Sequence, residues 1–226
     1  MDVQVKTTVL NEIDSRNILK KYYIEQNKTV FARNLDEVVM AANNIGYPIV
    51  LKVVSDKIVH KTDFGGVHIN LNNEDDVKEA YSAIYRNALS NGVPAGEING
   101  ISVQKMEAGI EELIIGAKRD EVFGPVIVVG LGGVLVELMN DTALGITPLS
   151  KENVIAMLSK LKGYPLLDGY RGRQKTDIQS IVTMVMKVQK LMMSQPEILE
   201  IDLNPIIVKE INKGSVAVDA RIVTIK

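Results

Sequence analysis

The chain contains no cysteine and no tryptophan, and aromatic residues make up only 4% of its 226 positions. Without thiols there is no disulfide scaffold, no thiolate zinc site and no cysteine nucleophile. So few aromatics provide no set of base-stacking platforms. The 26 basic and 28 acidic residues are well mixed and leave no electrostatic footprint for a polyanion, so nucleic acid is excluded as the main partner. Long apolar runs are missing too. The longest uncharged stretch, Phe123 to Val136, holds five glycine or proline residues and falls short of the roughly 20 apolar residues that a membrane span requires. The opening Met1-Asp2-Val3-Gln4-Val5-Lys6 has no apolar signal segment, so a soluble, cytoplasmic protein with no membrane partner is expected. What the chain has in quantity is aliphatic: a hydrophobic content of 46% suffices for a real core, in one large domain or two small lobes.

Taken in order, Asp14 to Gln26 has the spacing of a helix, with Ile18, Leu19, Tyr22 and Tyr23 on one face. A second helix is better marked: Asn34 caps it, Glu37 holds the capping-box position, Val38, Ala41, Ala42 and Ile45 form its stripe, and Gly46 stops it. A buried strand, Ile49 to Val54, follows. Val67, Ile69 and Leu71 then alternate with His68 and Asn70, which puts His68 on the polar face of a half-buried strand. Asn73 caps a long helix, and Asn91-Gly92-Val93-Pro94 ends it at the first plausible lobe boundary. Strands at Ile98 to Met106, Glu112 to Lys118, Pro125 to Val129 and Val134 to Leu138 read as an antiparallel meander. Ser150 caps a short helix to Leu161, and Thr176, with Gln179 three residues on, starts the longest amphipathic helix. Met184, Met186, Met192 and Met193 in that helix read as packing rather than as a groove. Two strands, Ile198 to Val208 and Ser215 to Ile225, close the chain as a hairpin.

Three constellations could carry chemistry. On the first buried strand Lys52 shares a face with Val50 and Val54, and an ammonium among apolar neighbours needs a fixed anion such as phosphate. The polar turn after it contains His60, and Gly65 and Gly66 allow backbone N–H groups to approach a bulky anion; alone, this is a weak nucleotide signal. In the terminal hairpin, a turn centred between Ile211 and Asn212 sets Asn204 opposite Asp219, with Cβ atoms about 5 Å apart. An amide oxygen beside a carboxylate suits a hard cation shared with phosphate oxygens; a solvated polar face that includes Asp202 accounts for the pair equally well. Glu107, Glu112 and Lys118 are each ordinary charges, but with Lys52 and the Asn/Asp hairpin they converge on ATP plus magnesium. The cluster Gly130-Leu131-Gly132-Gly133 lacks the strand-then-helix context of a dinucleotide fingerprint, and a tight hairpin explains it as well as a phosphate contact does. No serine-glycine elbow or metalloprotease helix motif competes.

Tyr47 to Ser55, Ile58 to Val67, Gly116 to Pro125, Gly130 to Glu137, Gly169-Tyr170-Arg171-Gly172 and Glu200 to Pro205 together resemble, in order and over nearly the whole chain, the ATP-grasp nucleotide subunit of ADP-forming acetyl-CoA synthetases. The resemblance implies an α/β ATP-grasp fold of two lobes, with mixed or antiparallel sheets flanked by helices and a nucleotide cleft between them. The lobes are expected at residues 1–95 and 96–226. It implies that Lys52 contacts phosphate, that Glu107 and neighbouring backbone hold adenine or ribose, that Glu112 and Lys118 line the nucleotide side of the cleft, that Asn204 and Asp219 bind magnesium, and that His60 carries phosphate. Phe64 and Thr62 depart from the commoner valine and serine. No CoA-binding lobe is encoded, so the resemblance also implies a separate CoA-binding alpha subunit, in an assembly of two alpha and two beta chains. The reaction implied is acyl-CoA + ADP + phosphate to acid + ATP + CoA, reversibly. A free-standing ATP-grasp carboxylate–amine ligase and a nucleotide-binding assembly module without turnover are the competing readings.

Overall fold

A computed structural model describes residues 6–55, 57–58, 61, 64–133 and 141–225. The strand expected at Val134 to Leu138 lies outside them. The chain forms two compact units, residues 27–106 and residues 1–26 with 107–226.

The smaller unit is a four-stranded antiparallel sheet in the order β2-β5-β3-β4, where β2 is Thr29–Ala32, β3 Ile49–Val54, β4 Val67–Leu71 and β5 Gly100–Lys105. Helices α2 (Leu35–Ile45) and α3 (Glu74–Ser90) cover one of its faces. The side chains of Asn34 and Asn73 accept from the N–H groups three residues on, so both helices start where their asparagine caps predict, each cap contributing about 1 kcal/mol. Ile49, Leu51, Val53, Ile101 and Val103 alternate onto the helix side and form the core with Val38, Ala42, Val77 and Ile84. His68 pairs directly with Leu51 and therefore points to the helix side, not to a polar face. Its Nε2 is buried without a hydrogen-bond partner. The register slips between Ile49 and Leu51 while Asn70 takes a left-handed φ of 58°, and this irregularity turns Ile69 outward, 58% exposed, against the expected alternation.

The larger unit holds a seven-stranded antiparallel sheet in the order β1-β11-β9-β6-β7-β8, with β10 also pairing β9. Its strands are β1 (Thr7–Val9), β6 (Glu111–Asp120), β7 (Gly124–Leu131), β8 (Thr142–Ile146), β9 (Ile198–Val208), β10 (Ser215–Ala217) and β11 (Arg221–Ile225). The helices are α1 (Glu12–Lys21), α4 (Lys151–Ser159), the single turn α5 (Tyr164–Leu167) and α6 (Ile178–Ser194). Leu113, Ile115, Ile127, Val129, Ile201, Leu203 and Ile206 meet Leu158, Ile181, Val185 and Leu191 in one core, each such side chain contributing roughly 1.5–3 kcal/mol by burial. Met184 and Met192 are buried and Met186 is packed against the core, as packing requires, whereas Met193 is 52% exposed.

Four further expectations are corrected. The first helix ends at Lys21, because Tyr23 adopts a left-handed φ of 57°, and Gln26 instead bridges to Ala217. The meander does not begin at β5: β5 lies between β2 and β3, while β6 pairs β7 and β9 in the other sheet. The division at 95/96 accordingly gives way to crossings at 26/27 and 106/107, since β1 and α1 pack with the larger unit and β5 completes the smaller one. Finally, α6 is capped by Asp177 and not by Thr176, whose hydroxyl donates to the Leu167 carbonyl.

Asp177 accepts from the N–H of Ser180 with one oxygen and from the N–H of Gly214, in the β9–β10 turn, with the other. Replacing it with alanine leaves two donors without acceptors, so Asp177→Ala should cost about 1–3 kcal/mol. A lowered urea midpoint with unchanged far-UV circular dichroism is the expected result.

Candidate functional site

Each sheet keeps one face away from its helices, and Lys52, Glu112, Lys118 and Asn204 fall on those faces. In the smaller unit β3 is buried at all six positions. Lys52, 6% exposed, occupies the face opposite Leu51 and Val53, between Val50 and Val54. Directly across the ladder on β5 is Ser102, and two residues further is Gln104, which is fully buried. Gln104 donates through Nε2 to Ser102 Oγ at 2.9 Å and accepts from Asn27 Nδ2 at 3.3 Å. This buried polar row was not singled out from the sequence. Its signal is the period-two placement of Ser102 and Gln104 among Ile101, Val103 and Gly100, readable only once β5 is known to lie beside β3.

The glycine pair is constrained by close packing. The Gly66 N–H donates to the Lys61 carbonyl at 2.8 Å and its own carbonyl accepts from Val53 N, so this N–H closes the turn instead of pointing at a ligand. A Cβ on Gly66 would come within 2.5 Å of Val53 Cγ1, and one on Gly65 within 2.5 Å of Asn87 Nδ2, while Gly65 also has a φ of +66°. His60, Thr62 and Asp63 lie outside the described residues.

In the larger unit the hairpin register is the one deduced from the sequence. Ala217 pairs with Ile206 and Arg221 with Asp202, so Asp219 falls across from Asn204 in the short break between β10 and β11. Asn204 is exposed and Asp219 is partly buried, with Asp219 Oδ1 accepting from Ala220 N at 2.9 Å. Asp202 lies on the same face. Burial foremost, then the Glu200 carboxylate, push its acid above the usual range; Arg221 opposes this and Asp219 adds to it. Asp202 and Asp219 thus stand beside Asn204, one two residues back on β9 and one across the hairpin. Among the described residues no three acidic, imidazole or thiolate groups converge into an all-protein metal cage. An amide and a carboxylate suit magnesium, which keeps water and phosphate as its other ligands.

Glu112 and Lys118 occupy the same helix-free face, opposite Ile207 and Glu200 respectively, and both are exposed. They stand six residues apart on β6, about 20 Å, so they do not form one contact point. Glu107 is held by Lys209, with Nζ to Oε2 at 2.7 Å. Its neighbour Glu111 contacts Arg173 at 2.6 Å; burial raises its acid even so. In the Gly169–Gly172 motif Arg171 takes a left-handed φ of 54° and its guanidinium lies 5.3 Å from the centre of the Tyr170 ring. β7 runs through Gly130, and Gly132 N donates to the Glu112 carbonyl; the strand that a hairpin at these glycines would lead into lies outside the described residues. A hollow of about 470 Å³ on α2 and α3, lined by Met40, Asn43, Glu74 and Lys78 among others, includes none of these residues.

Two helix-backed antiparallel sheets with a buried strand lysine on one and an Asn/Asp hairpin on the other define an ATP-grasp protein: the family described as the ATP-grasp domain matches residues 3–224, and the chain belongs to it. Within that family it is similar to the acetate–CoA ligase (ADP-forming) I subunit beta of Pyrococcus furiosus, 39% identical over 214 residues, 95% of this chain and 91% of that one. It is 43% identical over 206 residues to acetate–CoA ligase (ADP-forming) I of Archaeoglobus fulgidus, covering 91% of this chain but 30% of that protein. Among solved structures, the dinucleotide-forming acetyl-coenzyme A synthetase 1 of Ca. Korarchaeum cryptofilum in complex with coenzyme A, Ca-AMPCP and HgCl+ superposes with a TM-score of 0.89 at 40% identity, over 96% of this chain and 93% of that one. The same enzyme with coenzyme A and Mg-AMPPCP, its phosphohistidine segment pointing towards the nucleotide binding site, gives a TM-score of 0.82 at 38% identity, over 96% and 92%.

The packing around Gly66 makes a direct prediction. Gly66→Ala forces Val53 and the turn apart and should lower stability by about 1–3 kcal/mol. Gly92→Ala, where a Cβ meets nothing within 4 Å but φ is +75°, should cost less, and chemical denaturation of the two variants ranks them.

Proposed function

We propose that the chain is the nucleotide-binding beta subunit of an ADP-forming acyl-CoA synthetase, working with a CoA-binding alpha chain in a cytoplasmic assembly of two alpha and two beta subunits. The observation that carries this reading is the Asn204–Asp219 register on a helix-free sheet face, in a chain that matches a stand-alone beta subunit over 91% of its length. The single-chain relative, of which this chain spans 30%, supports a partner that supplies the rest.

In this reading Lys52 holds nucleotide phosphate from β3, the Gly65–Gly66 turn shapes the approach to it, and Glu107, Glu112 and Lys118 line the nucleotide path. Asn204 and Asp219 would hold magnesium, which supplies charge neutralisation to the phosphates when bound. His60 is the carrier. An imidazole nitrogen of His60 attacks the γ-phosphorus of ATP, the bond from that phosphorus to the bridging oxygen breaks, and ADP leaves. In the direction of ATP formation a terminal oxygen of ADP attacks the phosphohistidine phosphorus and the P–N bond breaks. A neutral imidazole is nucleophilic near pH 7 and its phosphorylated form is a good donor, so transfer between nucleotide and a remote CoA site divides into two steps. Lys57 and Lys61 bring positive charge to the same turn.

Incubation with γ-labelled ATP and magnesium should give an acid-labile phosphoprotein, and His60→Ala should abolish both the label and turnover with the alpha partner while leaving nucleotide affinity within about twofold. Near-normal turnover in His60→Ala would refute the relay; a carboxylate–amine ligase would never show the label. Asp219→Asn removes a charge with little change of shape. It should weaken magnesium-dependent nucleotide binding about tenfold or more, one charge-assisted interaction, in titration calorimetry.

A further inference from the structure

Glu107 is the first residue of the larger unit after the crossing at 106/107, and the connection it opens lies against the end of β9. The Ile110 N–H donates to the Val208 carbonyl at 2.8 Å. At Gly109 a Cβ would come within 2.4 Å of Ile207 Cγ2 and 2.6 Å of the Val208 carbonyl oxygen, so the backbone follows a line there that a side chain would break. Lys209, the residue after β9, is fixed from two other directions. Its N–H donates to the Gly214 carbonyl at 3.0 Å, and its carbonyl accepts from the N–H of Asp177, the cap of α6, at 2.9 Å. The Asp177 carboxylate in turn accepts from Gly214 N. Turn, cap and lysine backbone form one closed set of contacts.

From that base Lys209 Nζ reaches Glu107 Oε2 at 2.7 Å, the lysine side chain 29% and the glutamate 15% exposed. Lys209 is the one polar partner of the Glu107 side chain among the described residues. Two other basic groups of this stretch are committed elsewhere: Lys105 Nζ donates to the Gly46 and Tyr47 carbonyls, and Arg173 pairs with Glu111. Glu107 Oε1 has no partner among the described residues, and it is not sealed inside the protein. A carboxylate only accepts, so what Oε1 lacks is a donor. A partly exposed ion pair contributes little to stability, which leaves its effect on geometry as the larger one. A glutamate already held at one oxygen has few rotamers left to lose when a ligand engages the other.

We propose that Lys209 is a positioning residue of the nucleotide site: holding Glu107 by Oε2, it presents Oε1 to a hydrogen-bond donor of the nucleoside, a ribose hydroxyl or the base amine. The proposal rests on the reading of Glu107 as an adenine or ribose contact. Toward a carboxylate the two donors have the same chemistry. A nucleoside that lacks the donor, or carries a carbonyl in its place, leaves Oε1 unmatched and is selected against. Lys209 thus acts on the choice between nucleosides and not on the phosphate end.

The test is calorimetric titration of the full chain, in magnesium, with ATP, 2′-deoxy-ATP, 3′-deoxy-ATP, inosine triphosphate and tripolyphosphate. The proteins are the native chain, Glu107→Ala, Lys209→Met, Lys209→Arg and the double variant Glu107→Ala/Lys209→Met. The native chain should bind one of the three analogues about tenfold or more weaker than ATP, the range of a hydrogen bond to a charged group, and the analogue so rejected identifies the donor. Glu107→Ala should reduce that preference to about twofold or less. Lys209→Met should reduce it below about threefold while leaving tripolyphosphate affinity within about twofold, and Lys209→Arg, which keeps a cationic donor, should retain about half of it or more. The double variant should match Glu107→Ala within about twofold, because Lys209 has nothing to position once the carboxylate is gone. If Lys209→Met weakens ATP and every analogue by one factor and the preference is unchanged, the ion pair is only a structural clamp and the proposal is overturned. If Glu107→Ala removes the preference while Lys209→Met keeps it, the inference about Lys209 is wrong and the reading of Glu107 stands. If the native chain discriminates no analogue, or its preference survives Glu107→Ala, both fall.

Discussion

An ammonium inside a strand that is buried at every position is the constraint from which the smaller unit follows. β3 sits between β4 and β5, so its backbone is saturated on both edges, and its odd-numbered residues are committed to the helices. Lys52 has only the remaining face. A lysine there is tolerable where polar groups accompany it, and Ser102 and Gln104 occupy the neighbouring positions of the same face on β5. The helices, the strand order and the polar row are all consequences of giving one face of the sheet to packing and the other to chemistry.

The larger unit applies the same division to a sheet of seven strands. Its core side is aliphatic without interruption, from Leu113 through Ile206, while the opposite side collects Glu112, Lys118, Glu200, Asp202, Asn204, Asp219 and Arg221. Two of these, Lys118 and Arg221, stand across from Glu200 and Asp202, so part of the acidic charge is answered within the sheet. Burial foremost, and the Glu200 carboxylate after it, raise the acid of Asp202 on this side. Arg119, one residue beyond Lys118, turns the other way and donates to the carbonyls of Met192, Gln195 and Ile198, tying the end of α6 to the start of β9. Adjacent basic residues thus serve opposite purposes by strand alternation alone.

Local chemistry made some of this legible and distance along the chain hid the rest. The caps at Asn34, Asn73 and Ser150 and the hairpin register at Asn204 and Asp219 depend on residues a few positions apart, and they read correctly. The cap of α6 was misplaced by one residue because Thr176 and Asp177 are both capping types, and the choice is made by Gly214, 37 positions away. The turn at Asn70 and the left-handed Tyr23 are non-glycine residues in a conformation that sequence favours for glycine, so neither the outward Ile69 nor the early end of α1 was signalled. β5 looked like the first strand of a meander because β6 follows it closely. Its true neighbours, β2 and β3, are decided by tertiary packing, and without them Ser102 could not be placed opposite Lys52 nor Gln104 opposite Val50. The roles expected of His60, Lys52, Asn204 and Asp219 come from the pattern of the family, and His60 lies outside the described residues.

The route of the chain joins these observations. The smaller unit is an insertion that begins at Asn27 and ends at Met106, and β2 and β5 are antiparallel neighbours, so the two ends of the insertion emerge side by side. Asn27 fastens them: its amide donates to the Lys105 carbonyl, while Lys105 N donates to the Lys28 carbonyl and Lys105 Nζ to the carbonyls of Gly46 and Tyr47. The amide that closes the base of the insertion is also the one that sets the direction of the row through Gln104 to Ser102. An amide can close the base and orient a hydroxyl two strand positions away because it carries two N–H groups on one nitrogen, and both are engaged here. The orientation of the polar row is thereby fixed by the same contact that defines where the unit begins and ends.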